Sequence, residues 1–333
     1  MKAIILAGGE GKRLRPLTST RPKPLMRVGD RTLLDIMLER LGAHGITSVA
    51  ITLGYRGDDI IREIGDSLHG VKIDYYREEK PLGTAGCVKN CESFMEEDTL
   101  ILSADALTDI DFTALFKEHK NKNATVTLTV TKRQNPRLYG VVDFSSEGRV
   151  VDFREKPQLP EDATAWVNCG IYMVKKEVTR LIPKDTFCDF AKDVFPKMLE
   201  EKLPISVWQT EDFWCDIGSF AEYRRSNLLT LSKGFFVKGA EAPTVSRGTV
   251  TDSIIGRGSR ILSKAVVKDS VVGRNTRIGS RTRLDSCILG DGVTVGENVS
   301  ISAGAVVGDF AIVGDGVKLT EGVYIEPYTV FMG

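Results

Sequence analysis

Residues 6–25 read LAGGEGKRLRPLTSTRPKPL. They continue the short apolar run Ala3–Leu6, which reads as a buried first strand. Gly8, Gly9 and Gly11 then let the backbone turn sharply and approach a ligand closely, with N–H groups available to phosphate oxygens. Arg13 and Lys23 add two cations, and Pro22 and Pro24 stiffen the chain on either side of the lysine. A loop with that inventory is built to grip a polyphosphate. It has neither the dinucleotide spacing G-x-G-x-x-G nor the P-loop ending G-K-[ST].

The full pattern, G-G-x-G-x-R-L-x-P-L-T with a downstream P-K-P, resembles the sugar-1-phosphate nucleotidyltransferases, the NDP-sugar pyrophosphorylases. That resemblance implies an α/β fold with a Rossmann-like, mostly parallel sheet. It also implies transfer of a nucleotidyl group from an NTP to a sugar 1-phosphate, with Mg²⁺ as cofactor. Nucleotide binding falls by resemblance to Leu6, Gly8, Gly9, Gly11, Arg13 and Lys23. Arg13 and Lys23, with Asp105, are the catalytic candidates.

Working outward, Ser48–Leu53, Val71–Tyr76 and Thr99–Ser103 read as strands. Thr32–Leu41 places Leu34, Met37, Leu38 and Leu41 on one helical face, with Gly42 as its stop. Gly57–Leu68 and Thr84–Met95 read as helices. This βαβ alternation predicts a parallel sheet covered on both faces, with ligands at the carboxyl ends of its strands. After Thr131 the texture changes to short β-rich runs, Tyr139–Phe144, Arg149–Phe153 and Val167–Val174, then helices near Asp189–Glu200 and Phe220–Leu231. We read that half as the sugar-binding portion of the same domain.

Nucleotidyl transfer needs cations and alignment rather than a protein nucleophile, because the attacking phosphate oxygen is already ionised. Asp105 follows the strand Thr99–Leu102 in SADALTDID, and Asp216 lies in FWCDIGS before a helix. Each aspartate alone could be a turn or cap residue. Together they match the family's metal pair, and hard carboxylates with substrate phosphates suit Mg²⁺. Ala104 stands where the family usually has glycine. By resemblance, Glu155 and Lys156 of FREKP face the sugar hydroxyls and sugar phosphate, with Gly140 of LYGVV and Asn168 of VNCGIY beside them. REEKPLGTAG resembles the base-holding loop and contributes Glu78, Gly83 and Thr84. Uridylyl and thymidylyl relatives carry glutamine at the position of Glu78. A carboxylate accepts both hydrogens of guanine's N1/N2 edge, whereas uracil offers one donor between two carbonyls. GTP is therefore the preferred nucleotide, and the resemblance implies mannose 1-phosphate as the sugar that goes with it. Glucose 1-phosphate with UTP or dTTP, a heptose 1-phosphate with GTP, and a non-catalytic nucleotide-sugar-binding regulator stay open.

Beyond Gly234 the chain is repetitive. Val295, Ile301, Val307, Val313, Leu319, Ile325 and Phe331 recur every six residues, preceded at two positions by small or β-branched side chains. Ile261, Val267, Val272, Ile278, Leu284 and Leu289 continue the series with two five-residue steps. This is a hexapeptide repeat, predicted to wind into a left-handed parallel β-helix of about four coils. The expected organisation is a catalytic domain over 1–233, a linker over 234–247 and the β-helix over 248–333. A second acyltransferase site is disfavoured, since His44, His69 and His119 all precede the repeat. The repeat reads instead as an assembly module, giving a homo-oligomer through the C-terminal domain, and as dispensable for the chemistry.

The 333 residues carry 45 basic and 45 acidic side chains, so no global field recruits nucleic acid or an anionic membrane. Six cysteines without a C-x-x-C pair fit free thiols rather than a structural zinc site. The amino-terminal apolar run is too short for a signal peptide, and no segment is long enough to span a bilayer. A soluble, cytoplasmic protein is the expectation.

Overall fold

The computed structural model describes residues 1–233 and 245–333. The chain forms two compact units, one from residues 1–9 and 37–216, the other from residues 10–36 and 217–333.

The first unit is built on a ten-stranded mixed sheet. Lys2–Ala7 lies in its middle, parallel to Ser48–Leu53 on one side and Asp98–Ser103 on the other. Val71–Arg77 continues the parallel set beyond Ser48–Leu53. Chain order therefore reverses at Lys2–Ala7, the switch point beside which such sheets bind ligands. Thr164–Lys175 pairs antiparallel with both Asp98–Ser103 and Val126–Gln134, and Ile205–Gln209 adds a parallel strand to the latter. Gly140–Phe144 and Val150–Glu155 form a hairpin at the far edge. Ile4, Ala50, Ile101 and Leu128 are fully buried, as expected of strands covered on both faces.

Three sequence-based boundaries move. The helix Leu33–Ala43 runs through Gly42. Gly42 lacks a side chain because a Cβ there would meet the His69 carbonyl at 2.9 Å. The stop is Gly45, at φ +74°, with the Ile46 amide returning to the Leu41 carbonyl at 3.0 Å. The second helix ends at Ile64 before Gly65, and Ser67–Leu68 is a short edge strand. The third covers Gly83–Asn90 and unwinds into turns before Met95.

In the second unit, the repeats wind into a left-handed β-helix whose three parallel sheets hold six, five and five strands. This exceeds the four coils expected. The extra coil is Val245–Ser246, Thr249–Thr251 and Ile254–Ile255, where Val250 and Ile255 stand in register with Val267 and Val272 but Ser246 takes the place in register with Ile261. Residues 234–244 of the expected linker lie outside the described residues. The periodic positions point inward as read: Ile261, Ile278, Val295 and Val313 stack from coil to coil, with Ser259, Thr276, Val293 and Ala311 beside them. The loop 10–36 belongs to this unit, so the repeat is more than an appendage. Among the described residues no helix is long and apolar enough to cross a membrane, and all six cysteines are free and buried.

Candidate active site

In the first unit, four parallel strands end side by side, and each end carries a residue of interest. The Tyr55 amide donates to the Gly8 carbonyl at 3.2 Å, Glu78 N–H to the Leu53 carbonyl at 3.0 Å, and Ala104 N–H to the Leu6 carbonyl at 3.0 Å. These bonds carry the ladder past the strand ends and set Gly8, Gly54, Glu78 and Asp105 along one rim. Ala104 has no positive φ, so alanine fits where the family usually has glycine.

The glycines of the first loop have different reasons. A Cβ on Gly8 would sit 1.8 Å from Glu78 Oε1, and one on Gly54 would sit 2.5 Å from the Gly8 carbonyl oxygen. Protein neighbours therefore demand both. Around Gly9, apart from its chain neighbours, no atom of the described residues lies within 4 Å of such a Cβ, which leaves open space where a ligand can approach the backbone. Gly54 was not singled out from sequence; its position directly after a buried strand was the available signal.

Glu78 turns inward. Its Oε2 accepts from the Leu82 amide at 2.8 Å and from Cys87 Sγ at 3.4 Å, at the start of the helix Gly83–Asn90. Burial, and then the Glu78 charge, pushes the Cys87 thiol up to about 12, so it stays protonated as a donor. Oε1 lies against Gly8 and Gly54. Gly83, at φ +71°, is required by packing, because a Cβ there would meet the Cys188 carbonyl at 2.6 Å. Thr84 Oγ1 donates to Asp189 Oδ2 and accepts from the Phe190 amide, both at 2.9 Å. Gly83 and Thr84 thus fasten this turn to residues 188–190.

Asp105 follows Asp98–Ser103 and accepts from Ser103 Oγ at 2.5 Å. Asp216 ends the strand Trp214–Asp216, which pairs antiparallel with Ala106–Thr108 so that Asp216 stands opposite Ala106. The two aspartates are therefore one residue apart in register, and both are half-buried. At the start of Phe220–Lys233, Ser219 Oγ accepts from the Glu222 amide at 3.2 Å and serves as a helix cap. The other acids of SADALTDID are structural. Asp109 accepts from the Phe213 amide at 2.6 Å, and Asp111 caps Phe112–Lys122 through Thr113 and Ala114. Arg133, overlooked in the sequence, donates to the Trp214 carbonyl and lies over the Trp214 ring at 5.4 Å, fixing the strand that ends in Asp216.

The sugar-side candidates gather at the hairpin. Gly140 pairs with Glu155, and a Cβ on it would strike Phe153 at 2.6 Å and Glu155 Oε2 at 3.0 Å. Lys156, at φ +48°, places its ammonium 3.2 Å from Glu155 Oε1 and is 57% exposed at the side chain. Asn168 sits at a register shift, its Oδ1 taking the Gly170 amide at 3.0 Å and its Nδ2 donating to Tyr172 at 2.8 Å.

In the second unit, Gly11 at φ +65° opens the turn Lys12–Leu14, and its carbonyl accepts from Thr18 Oγ1 at 2.9 Å. A Cβ on Gly11 would lie 3.2 Å from Cβ of Lys23, so the glycine lets the two limbs of the loop close on each other. Lys23 begins a turn between Pro22 and Pro24 and is 9% exposed, whereas Arg13 is exposed.

No group of three or more His, Cys, Asp or Glu side chains converges among the described residues. Two carboxylates on paired strands nonetheless fit Mg²⁺, which takes one or two protein carboxylates and fills its remaining positions with substrate phosphates and water.

An α/β sheet with a glycine loop at its switch point, joined to a hexapeptide β-helix, defines a class, and comparison with known proteins places the chain within it. Residues 2–233 match the family described as Nucleotidyl transferase, to which the chain belongs, and residues 235–325 match the GlmU-like C-terminal hexapeptide. Among named relatives, it is 32% identical over 261 residues to UTP–glucose-1-phosphate uridylyltransferase of Synechocystis sp., covering 74% of this chain and 66% of that one. It is 32% identical over 275 residues to mannose-1-phosphate guanylyltransferase of Mycobacterium tuberculosis, covering 78% and 76%. The Saccharomyces cerevisiae mannose-1-phosphate guanyltransferase is 34% identical over 240 residues, covering 70% and 65%. The chain thus spans about two thirds of the length of several relatives. The crystal structure of HddC from Yersinia pseudotuberculosis shares the fold, with TM-score 0.60 and 25% identity over 68% of this chain and 97% of that one.

Proposed function

We propose that this protein joins a sugar 1-phosphate to an NTP, releasing pyrophosphate and an NDP-sugar, with GTP and mannose 1-phosphate preferred. The observation that carries the reaction class is the rim at the switch point: the open backbone at Gly9, inward Glu78, and the paired strands ending in Asp105 and Asp216. In this reading a sugar-phosphate oxygen attacks the α-phosphorus and forms the new P–O bond. The α–β P–O bond breaks, and its electrons leave with pyrophosphate. Asp105 and Asp216 would hold Mg²⁺, which when bound supplies charge neutralisation on the phosphates. Gly8, Gly9 and Gly11 give N–H groups to the nucleotide, Arg13 and Lys23 offset its negative charge, and Leu6 and Glu78 border the base. Lys156 meets the sugar phosphate as a point charge, with Glu155, Gly140 and Asn168 around the sugar.

Guanine preference is supported by Glu78 and by relatives named for guanylyl transfer. The Synechocystis relative, named for UTP and glucose 1-phosphate, supports the second reading. Pyrophosphate release across four NTPs and a small set of sugar 1-phosphates tests both, and activity with none of them would leave a regulatory nucleotide-sugar binder. The reading also includes a homo-oligomer through the C-terminal domain, supported by exposed Tyr324, Tyr328, Val330 and Met332. A monomeric mass in light scattering at micromolar concentration would remove it.

The two subsites predict a kinetic split. Lys156→Ala is expected to raise KM for the sugar 1-phosphate about tenfold, the worth of one charge-assisted hydrogen bond. Lys23→Ala should instead impair nucleotide use or turnover. The opposite partition in steady-state kinetics would reverse the assignment.

A further inference from the structure

The loop that carries Lys23 is fastened to the β-helix through side chains that the reaction itself does not need. Arg21 Nη2 lies 2.8 Å from Asp291 Oδ2 and 2.7 Å from Asp309 Oδ2, and Thr20 Oγ1 also donates to Asp309 Oδ2. Asp309 is 2% exposed. Farther along the loop, the Gly29 amide donates to Asn227 Oδ1 at 2.9 Å, and Arg274 donates to the Asp30 carbonyl at 2.5 Å. Lys23 therefore lies between two fastened points, Thr20–Arg21 and Gly29–Asp30, with Pro22 and Pro24 limiting the chain between them.

The two aspartates already have work inside the β-helix. They follow Gly290 and Gly308 at one corner, where Asp309 Oδ1 accepts the Asp291 amide and Asp291 Oδ1 accepts the Arg274 amide, both at 2.7 Å. At another corner Asp315 Oδ1 takes the Glu297 amide at the same distance, with no arginine of the described residues at its other oxygen. Asp315 shows that tying coil to coil uses one oxygen. The second oxygens of Asp291 and Asp309 are turned to Arg21, which makes the ion pair an addition to the repeat rather than part of its winding. A guanidinium held by two carboxylates is also far more directional than an ammonium.

We infer that Arg21, Asp291 and Asp309 form a positioning device through which the β-helix holds the Lys23 loop in its working posture. The C-terminal repeat is then part of what makes transfer efficient, contrary to the expectation that the chemistry could dispense with it. The inference rests on the proposed transferase reading, in which Lys23 serves the nucleotide phosphates. Arg21 touches no reacting group in it and acts through Lys23.

The test uses the full chain with Arg21→Gln, Asp309→Asn, their double variant, and Asp315→Asn as the coil-tying control. Two quantities are read: steady-state kinetics for NTP and sugar 1-phosphate, and amide hydrogen exchange at Leu25 and Met26, whose N–H groups bond to Pro22 and Lys23 carbonyls. Arg21→Gln and Asp309→Asn are each expected to lower kcat/KM for the NTP about tenfold, to leave KM for the sugar 1-phosphate unchanged, and to speed exchange at Leu25 and Met26. The double variant should be no worse than Arg21→Gln alone, because that variant already removes the Arg21–Asp309 contact. Asp315→Asn should leave kinetics and loop exchange at parental values. Parental kinetics in Arg21→Gln, or a lowered unfolding temperature with unchanged kinetics and loop exchange, overturns the inference. A parent that turns over no substrate pair defeats the transferase reading instead, and exchange at Leu25 and Met26 still decides whether Arg21 holds the loop.

Discussion

Asp105→Asn is expected to lower kcat by a factor on the order of 10²–10³, the usual cost of removing one preorganised electrostatic group from a transition state. Asparagine keeps the size and one oxygen of aspartate but removes the charge that a divalent cation needs. The fold should survive the change. Asp105 is only half-buried and sits at a strand end, where it accepts from the Ser103 hydroxyl, which can donate equally to an amide oxygen. Asp216→Asn should behave alike, since the strand pairing sets the two carboxylates one residue apart in register. Pyrophosphate release followed across a Mg²⁺ titration checks this: the variant should need more Mg²⁺ and reach a lower plateau. Turnover close to the parent's at limiting Mg²⁺ would rule out a shared metal.

The parts of the molecule written in periodic patterns were legible in advance. Ser48–Leu53 was read to the residue, because a strand covered on both faces leaves an unbroken aliphatic run. The hexapeptide phase placed Ile278, Leu284, Val295 and Ile301 inside the β-helix, where each is at most 1% exposed. Contacts between distant segments were not legible. Gly42 looked like a helix stop, yet it is small for the sake of the His69 carbonyl, and nothing in the local sequence distinguishes those two reasons. Gly83 was placed in the base-holding loop, and the Cys188 carbonyl, 2.6 Å from where a Cβ would stand, is a reason for glycine there that the local sequence does not show. Thr84, taken as a nucleotide contact, is committed to Asp189 and Phe190. Arg21 stood in plain view inside the signature and was passed over, because its partners lie 270 and 288 residues away. Local chemistry shows which residues can hold a phosphate. Tertiary contacts decide which are occupied in holding the protein.

Glu78 is where that distinction has a measurable consequence. Had both carboxylate oxygens faced the base, glutamine could have turned either end toward it. Here Oε2 is anchored by the Leu82 amide and by Cys87, while Oε1 lies beside Gly8 and Gly54 on the nucleotide side of the proposed site. In Glu78→Gln the Leu82 N–H still requires an acceptor, so the amide oxygen takes the anchored place and the NH₂ group falls beside Gly8. An acceptor facing the base becomes a donor. Guanine's N1 and N2 hydrogens then meet another hydrogen, whereas a pyrimidine carbonyl gains a partner. A bidentate base contact is worth about 1–3 kcal/mol, and with one oxygen already engaged the lower part of that range applies. The ratio of kcat/KM for GTP over UTP should therefore fall on the order of ten- to thirtyfold, with the sugar 1-phosphate KM unmoved. Paired GTP and UTP kinetics on parent and variant measure it. An unchanged ratio would transfer base selection to backbone groups near Leu6 and Gly83, and would leave Glu78 as the pin that joins the glycine loop to the helix Gly83–Asn90.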